Sequence, residues 1–171
     1  MVLSPQTSWE TISDKKTGLY REFLLPIWGT IVLLSFAGGW LFTANASFGL
    51  GIRNMIFEIF SLFGSFHISS FLLNEYIGKL TDVERNLDKT RIFVAYSSSL
   101  IYLIEIIVAL FDDFFFLWLF VLYTFYIVYI GAGEFYKITA ERRNNFMVIT
   151  SLLILIMPLI LKSVLSMMTR I

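Results

Sequence analysis

Residues 92–111 and 114–133 are two apolar runs, IFVAYSSSLIYLIEIIVALF and FFFLWLFVLYTFYIVYIGAG, parted only by Asp112 and Asp113. A helix rising ~1.5 Å per residue needs about twenty residues to cross ~30 Å of hydrocarbon, and each run has that length. A chain of 171 residues has too little interior to hide two helices that are apolar on every side. A carboxylate at mid-membrane depth is costly, so the paired acids mark a tight turn in water. The sequence therefore predicts a membrane-spanning helical hairpin.

Composition agrees with lipid as the solvent. The chain is 57% hydrophobic and 15% charged, against roughly 45–50% and 25% in globular proteins. Thirteen basic and thirteen acidic residues leave no net charge, which argues against a nucleic-acid partner. The lack of Cys excludes disulfides, thiol catalysis and thiolate metal sites. One His, without HExxH, EF-hand or GxSxG spacing, predicts no metal, no cofactor and no catalytic residues. The expectation is a protein that is not an enzyme.

Residues 1–22 are polar and carry Glu10, Asp14 and Glu22, unlike a cleavable signal peptide, so insertion falls to the first internal span. Ser4 and Pro5 read as the N-cap and first position of a short amphipathic helix. Val2, Leu3, Trp9 and Ile12 give it an apolar face that suits a membrane surface or a partner. The plainer expectation is a capped helix that leads into the bilayer. Residues 23–168 then form one all-α membrane domain of five spans, at about 23–42, 55–77, 92–111, 114–133 and 147–168.

The spans differ in character. In the first, Trp28 and Trp40 suit the two interfaces, while Gly29, Ser35, Gly38 and Gly39 allow close helix approach. Residues 43–54 read as a loop. The second span is polar on two sides, with Glu58, Ser61 and Ser65 on one stripe and His67, Ser70 and Asn74 nearly opposite. In the fourth, Gly131, Ala132 and Gly133 follow Tyr123, Tyr126 and Tyr129 and predict ordinary close packing, with a subunit or gating seam as the alternative. In the fifth, Pro158 predicts a kink, and Lys162 is placed to snorkel toward the interface.

Lys and Arg are distributed unevenly about these spans. One side collects ten, from Lys15, Lys16 and Arg21 through Lys79, Arg85, Lys89 and Arg91 to Lys137, Arg142 and Arg143. The other side has Arg53, Lys162 and Arg170. The positive-inside rule then places the N-terminus in the cytoplasm and the C-terminus outside. Lys79, Arg85, Lys89, Arg91, Lys137, Arg142 and Arg143 become candidate contacts for anionic lipid. The expected partners are the bilayer itself and other membrane proteins or copies of this chain.

Glu58 and Glu105 are acids placed inside predicted spans, and Ser98 and Tyr102 share a stripe with Glu105. Intramembrane carboxylates often mark ion pathways or proton relays, so Glu58, Glu105 and His67 form a candidate ion site. The blander expectation, and the favoured one, is that these groups hydrogen-bond to neighbouring hydroxyls and fix helix packing.

Three segments resemble a known family. LSPQTSWETI, FVAYSSSLIYLIEII and LWLFVLYTFYIVYIGAGEF are similar, in this order, to the lead-in, third span and fourth span of bacterial YIP-domain membrane proteins. Many relatives carry Pro after the AYS segment where this chain has Leu100, which leaves a kink expected there without its usual cause. The resemblance implies a five-span fold in the bacterial inner membrane. It also implies kinship with non-enzymatic trafficking factors that interact with Rab-type GTPases. A membrane scaffold or organiser is the expected role. The alternative is a small oligomeric channel or proton-coupled transporter that uses the intramembrane carboxylates.

Overall fold

The computed structural model describes residues 3–14, 18–43, 45–80, 83–110 and 112–168, and among them there is helix and no strand. Val2, Lys15, Lys16 and Arg170, used in the sequence reading, lie outside the described residues, as do the side chains of Asp112 and Asp113. Among the described residues seven α-helices run in order: α1 Pro5–Asp14, α2 Leu25–Ala37, α3 Phe48–Leu80, α4 Leu87–Ser97, α5 Ser99–Val108, α6 Tyr123–Glu134 and α7 Ala140–Met168. Short π-helical segments, Leu19–Leu24 and Gly38–Phe42, extend α2 at both ends, and a 3₁₀ segment, Asp112–Leu122, precedes α6.

Among the described residues four segments are long and apolar enough to cross a membrane: Leu19–Phe42, Phe48–Lys79, Phe116–Glu134 and Ala140–Met168. The bent pair α4–α5 makes a fifth if it crosses as one span. Large apolar side chains stay exposed around the bundle, among them Leu33, Phe63, Phe71, Leu119 and Leu159. In water such a belt would drive aggregation; in hydrocarbon it is the expected surface.

Several boundaries differ from the sequence reading. Residues 48–54, expected in a loop, are helical, because α3 begins at Phe48. Asn54 and the neighbouring glycines look like loop residues by propensity, but packing of α3 against α2 overrides it. The turn expected at Asp112-Asp113 falls earlier, at Ala109–Leu110, where the Leu110 N–H donates to the Ile107 carbonyl at 3.2 Å. In the 3₁₀ segment that follows, Phe116, Trp118, Leu119, Phe120 and Leu122 all stand exposed, as a lipid-facing stretch would. Helix α7 continues through Pro158 as one element.

The third span bends by 45° between α4 and α5 although Leu100 stands where a proline was expected. The break falls at Ser98, whose hydroxyl donates back to the Val94 carbonyl at 2.8 Å. The same carbonyl takes the Ser98 N–H at 3.0 Å. Serine back-bonding of this kind bends helices. Just beyond the ends of these helices the backbone of Ala109 meets Gly38, where a Cβ would fall on the Ala109 carbonyl oxygen.

Helix α1 does not lie free on the surface. Trp9 is fully buried, stacks on Phe93 at 4.9 Å and donates its indole N–H to the Ile127 carbonyl at 3.1 Å. Gly131 makes the seat: a Cβ there would stand 2.6 Å from Trp9 Cε2 and 2.7 Å from Phe93 Cε2. Trp9, Phe93, Phe135, Tyr136 and Phe146 thus form an aromatic cap over the end of the bundle where α4 and α7 begin.

Candidate functional site

Helix α3 carries Glu58, Ser61, Ser65 and Ser69 at helical spacing, and this stripe faces inward. The Ser61 hydroxyl donates to the Pro158 carbonyl at 3.5 Å and that of Ser69 to the Leu153 carbonyl at 3.3 Å, so the stripe lies against α7. One turn beyond Pro158, α7 presents Lys162. Its ammonium donates to Glu58 Oε1 at 2.8 Å and to Glu105 Oε1 at 3.1 Å. One cation therefore ties α3, α5 and α7 together.

This corrects the expectation that Lys162 snorkels outward. Two carboxylates within reach in a low-dielectric interior outweigh a distant interface. The side chain of Glu105 is 5% exposed and that of Glu58 16%. In each, the second oxygen, Oε2, is buried and has no hydrogen bond among the described residues.

The cluster forms the floor of an open cavity of about 390 Å³, lined also by Thr43, Asn54, Trp118 and Ser166. These residues come from the end of α2, the start of α3, the 3₁₀ segment and the end of α7, so the cavity opens at the pole opposite the aromatic cap. Beneath Glu105 lies a second void of only about 20 Å³, lined by Ser65, Ser69, Ser98 and Tyr102. That is room for about one water. Nearer the cap, the Tyr136 hydroxyl donates to Thr90 Oγ1 at 3.0 Å, and Thr90 in turn donates to Asn74 Oδ1 at 3.4 Å.

His67 does not join the carboxylates. It sits on another face of α3, with Nδ1 2.8 Å from the Phe63 carbonyl and Nε2 3.3 Å from the Tyr20 hydroxyl. A neutral ring donates at the first and accepts at the second. Phe63 packs on the same ring at 4.1 Å.

The seven basic candidates gather at the capped pole, but most are engaged within the protein. Arg85 pairs with Glu75 at 3.2 Å, Arg91 with Asp88 at 3.1 Å and Lys137 with Glu134 at 3.6 Å. Lys89 lies over the rings of Phe135 and Tyr136, and Arg143 over Tyr129 while donating to the Ile138 carbonyl at 3.2 Å. Arg142 is engaged as well, and Lys79, Lys137 and Arg142 are the exposed members of the group. Burial raises the Tyr136 phenol above its ordinary range, opposed by its hydrogen bond to Thr90.

Two residues of this arrangement escape a reading of the sequence: Lys162 as the centre of the cluster and Trp9 as the clasp. For Lys162 there was a signal, because it is the one Lys or Arg inside the predicted spans and two intramembrane acids need a counter-charge.

The family model of the Yip1 domain matches residues 1–161 of the chain. No curated protein and no solved structure matches it.

Proposed function

The chain belongs to the Yip1-domain family and is an integral membrane protein, and from this premise we propose that it is a non-enzymatic membrane scaffold. In this reading it resides in a bacterial inner membrane with its capped, basic pole in the cytoplasm. It acts through lipid-facing helices and through its basic pole rather than through a reaction. The observation that carries the reading is the tie of α3, α5 and α7 on Lys162, with a packed aromatic cap at the other pole. Such a bundle is braced at both ends and suits a rigid platform for other membrane components.

Native mass spectrometry of the purified protein with mixed lipids tests this. Each Lys or Arg near an anionic surface is worth about 1 kcal/mol, so neutralising exposed Lys79, Lys137 and Arg142 together should weaken retention of anionic lipid by up to ~100-fold. Retention equal to that of the wild type would remove the lipid-organising role. The rival reading, a channel or proton-coupled transporter, is favoured by one observation: the cavity that descends to Glu58 and Glu105. It requires the 20 Å³ constriction below them to widen.

A further inference from the structure

Between α6 and α7 the chain turns at Lys137, which alone among the described residues has a positive φ, 57°. Hydrogen bonds on both sides fix that turn. The Tyr136 N–H donates to the Gly131 carbonyl at 3.4 Å and the Ile138 N–H to the Ala132 carbonyl at 2.9 Å, closing the end of α6. Left-handed backbone just past a helix end is the usual place for glycine, and a side chain there is strained. The lysine side chain packs on little in return: it is 75% exposed and meets Glu134 only at 3.6 Å. An exposed pair of that kind contributes little. What Lys137 brings that glycine would not is an ammonium at the capped pole.

A second ammonium stands beside it. Lys89 lies 5.1 Å from the Phe135 ring and 5.2 Å from that of Tyr136, the residue before Lys137. Both rings are buried, so they hold Lys89 against a firm wall while its ammonium stays open to solvent. Lys137 is near enough for the two charges to oppose each other. Two positive charges brought together on one wall favour a shared anion. Their height fixes its kind. Lys89 sits at the start of the bent span Leu87–Val108, and Lys137 lies between segments that end at Glu134 and begin at Ala140. Both ammoniums therefore stand at the level of lipid phosphates.

We propose that Lys89 and Lys137 form a seat for the phosphate of one anionic phospholipid, of the phosphatidylglycerol class. The seat rests on the reading of the basic pole as a lipid contact. It narrows that contact from an attraction spread over exposed cations to one headgroup held by two residues.

Native mass spectrometry of the full-length protein, released from micelles holding phosphatidylglycerol and phosphatidylcholine, counts the lipids retained. The expected wild-type result is one phosphatidylglycerol held more firmly than any later one. Lys137→Gly and Lys89→Met should each weaken that first lipid about tenfold or more, the scale of one charge-assisted hydrogen bond, while Lys79→Ala leaves it in place. Lys137→Gly should also raise the thermal midpoint by about 2–4 °C, because the backbone strain is relieved. A first lipid weakened no more by Lys137→Gly than by Lys79→Ala would overturn the seat and leave the diffuse attraction of the scaffold reading standing. A lower midpoint in Lys137→Gly would overturn it too, since the lysine would then serve the end of α6 rather than a ligand. Full displacement of the lipid by excess glycerol phosphate would overturn the lipid assignment in favour of a soluble phosphate. Loss of the first lipid in both variants, together with wild-type flux in liposomes, would remove the scaffold and keep the seat.

Discussion

Replacing Lys162 by Met keeps the length of the side chain and removes its charge, leaving Glu58 and Glu105 facing each other in the interior. Removing one partner of a buried pair costs about 3–5 kcal/mol, because the charge left behind is uncompensated. The Lys162 side chain is 31% exposed on the cavity side, where water screens part of the loss, so the lower end, about 3 kcal/mol, is the expected figure. The triple variant Lys162→Met, Glu58→Gln, Glu105→Gln removes the whole charged group and should recover most of that loss, as neutral replacements of buried ion pairs often do. Equilibrium unfolding in detergent micelles, followed by circular dichroism, measures both. A Lys162→Met loss under about 1 kcal/mol, the scale of an exposed pair, would show that the cluster is effectively solvated. A triple variant no more stable than the single one would show that the uncompensated carboxylates are not the cause.

Other predictions concern the clasp and the packing seams. Trp9→Ala should destabilise the bundle by about 3–5 kcal/mol, the usual cost of emptying a large aromatic site, and should speed proteolytic removal of α1. Gly131→Ala should release α1 as well, because its Cβ meets Trp9 and Phe93, and combining it with Trp9→Ala should cost less than the two losses added, since the indole's share of the clash disappears and only that with Phe93 remains. Gly38→Ala should push the segment after α2 away from Ala109 and lower the midpoint of thermal unfolding, because its Cβ meets backbone that cannot move aside alone. The Tyr136 phenol is raised from its ordinary value of 10.0. It contributes stability that is complete below that pH and is lost as pH climbs toward the folded value. Tyr136→Phe should therefore lose less stability than the wild type between neutral and strongly alkaline pH.

The spans were legible because unbroken apolar length is a one-dimensional signal. Glu58 and Glu105 stood out for the same reason, as acids interrupting such runs. Their meeting was not legible, since nothing in the spacing of α3, α5 and α7 states which helices are neighbours. Lys162 read as interfacial from its place toward the C-terminal end of the fifth span, while tertiary contact turned it inward. The bend at Ser98 lacked its familiar proline signal, and a serine hydroxyl competing for the Val94 carbonyl took that role. Trp9 read as part of a surface-seeking face, because an apolar stripe on a short helix fits lipid and protein equally well. Only the seat at Gly131 distinguishes the two.

The scaffold account is tested most directly by flux. Liposomes holding the wild type, Glu58→Gln or Glu105→Gln would be loaded with a pH- or sodium-sensitive dye and given proton, sodium and potassium gradients. The account predicts that all three leak no faster than empty vesicles. Flux in the wild type that is lost in either Gln variant would contradict it and make the cavity the mouth of a transport path.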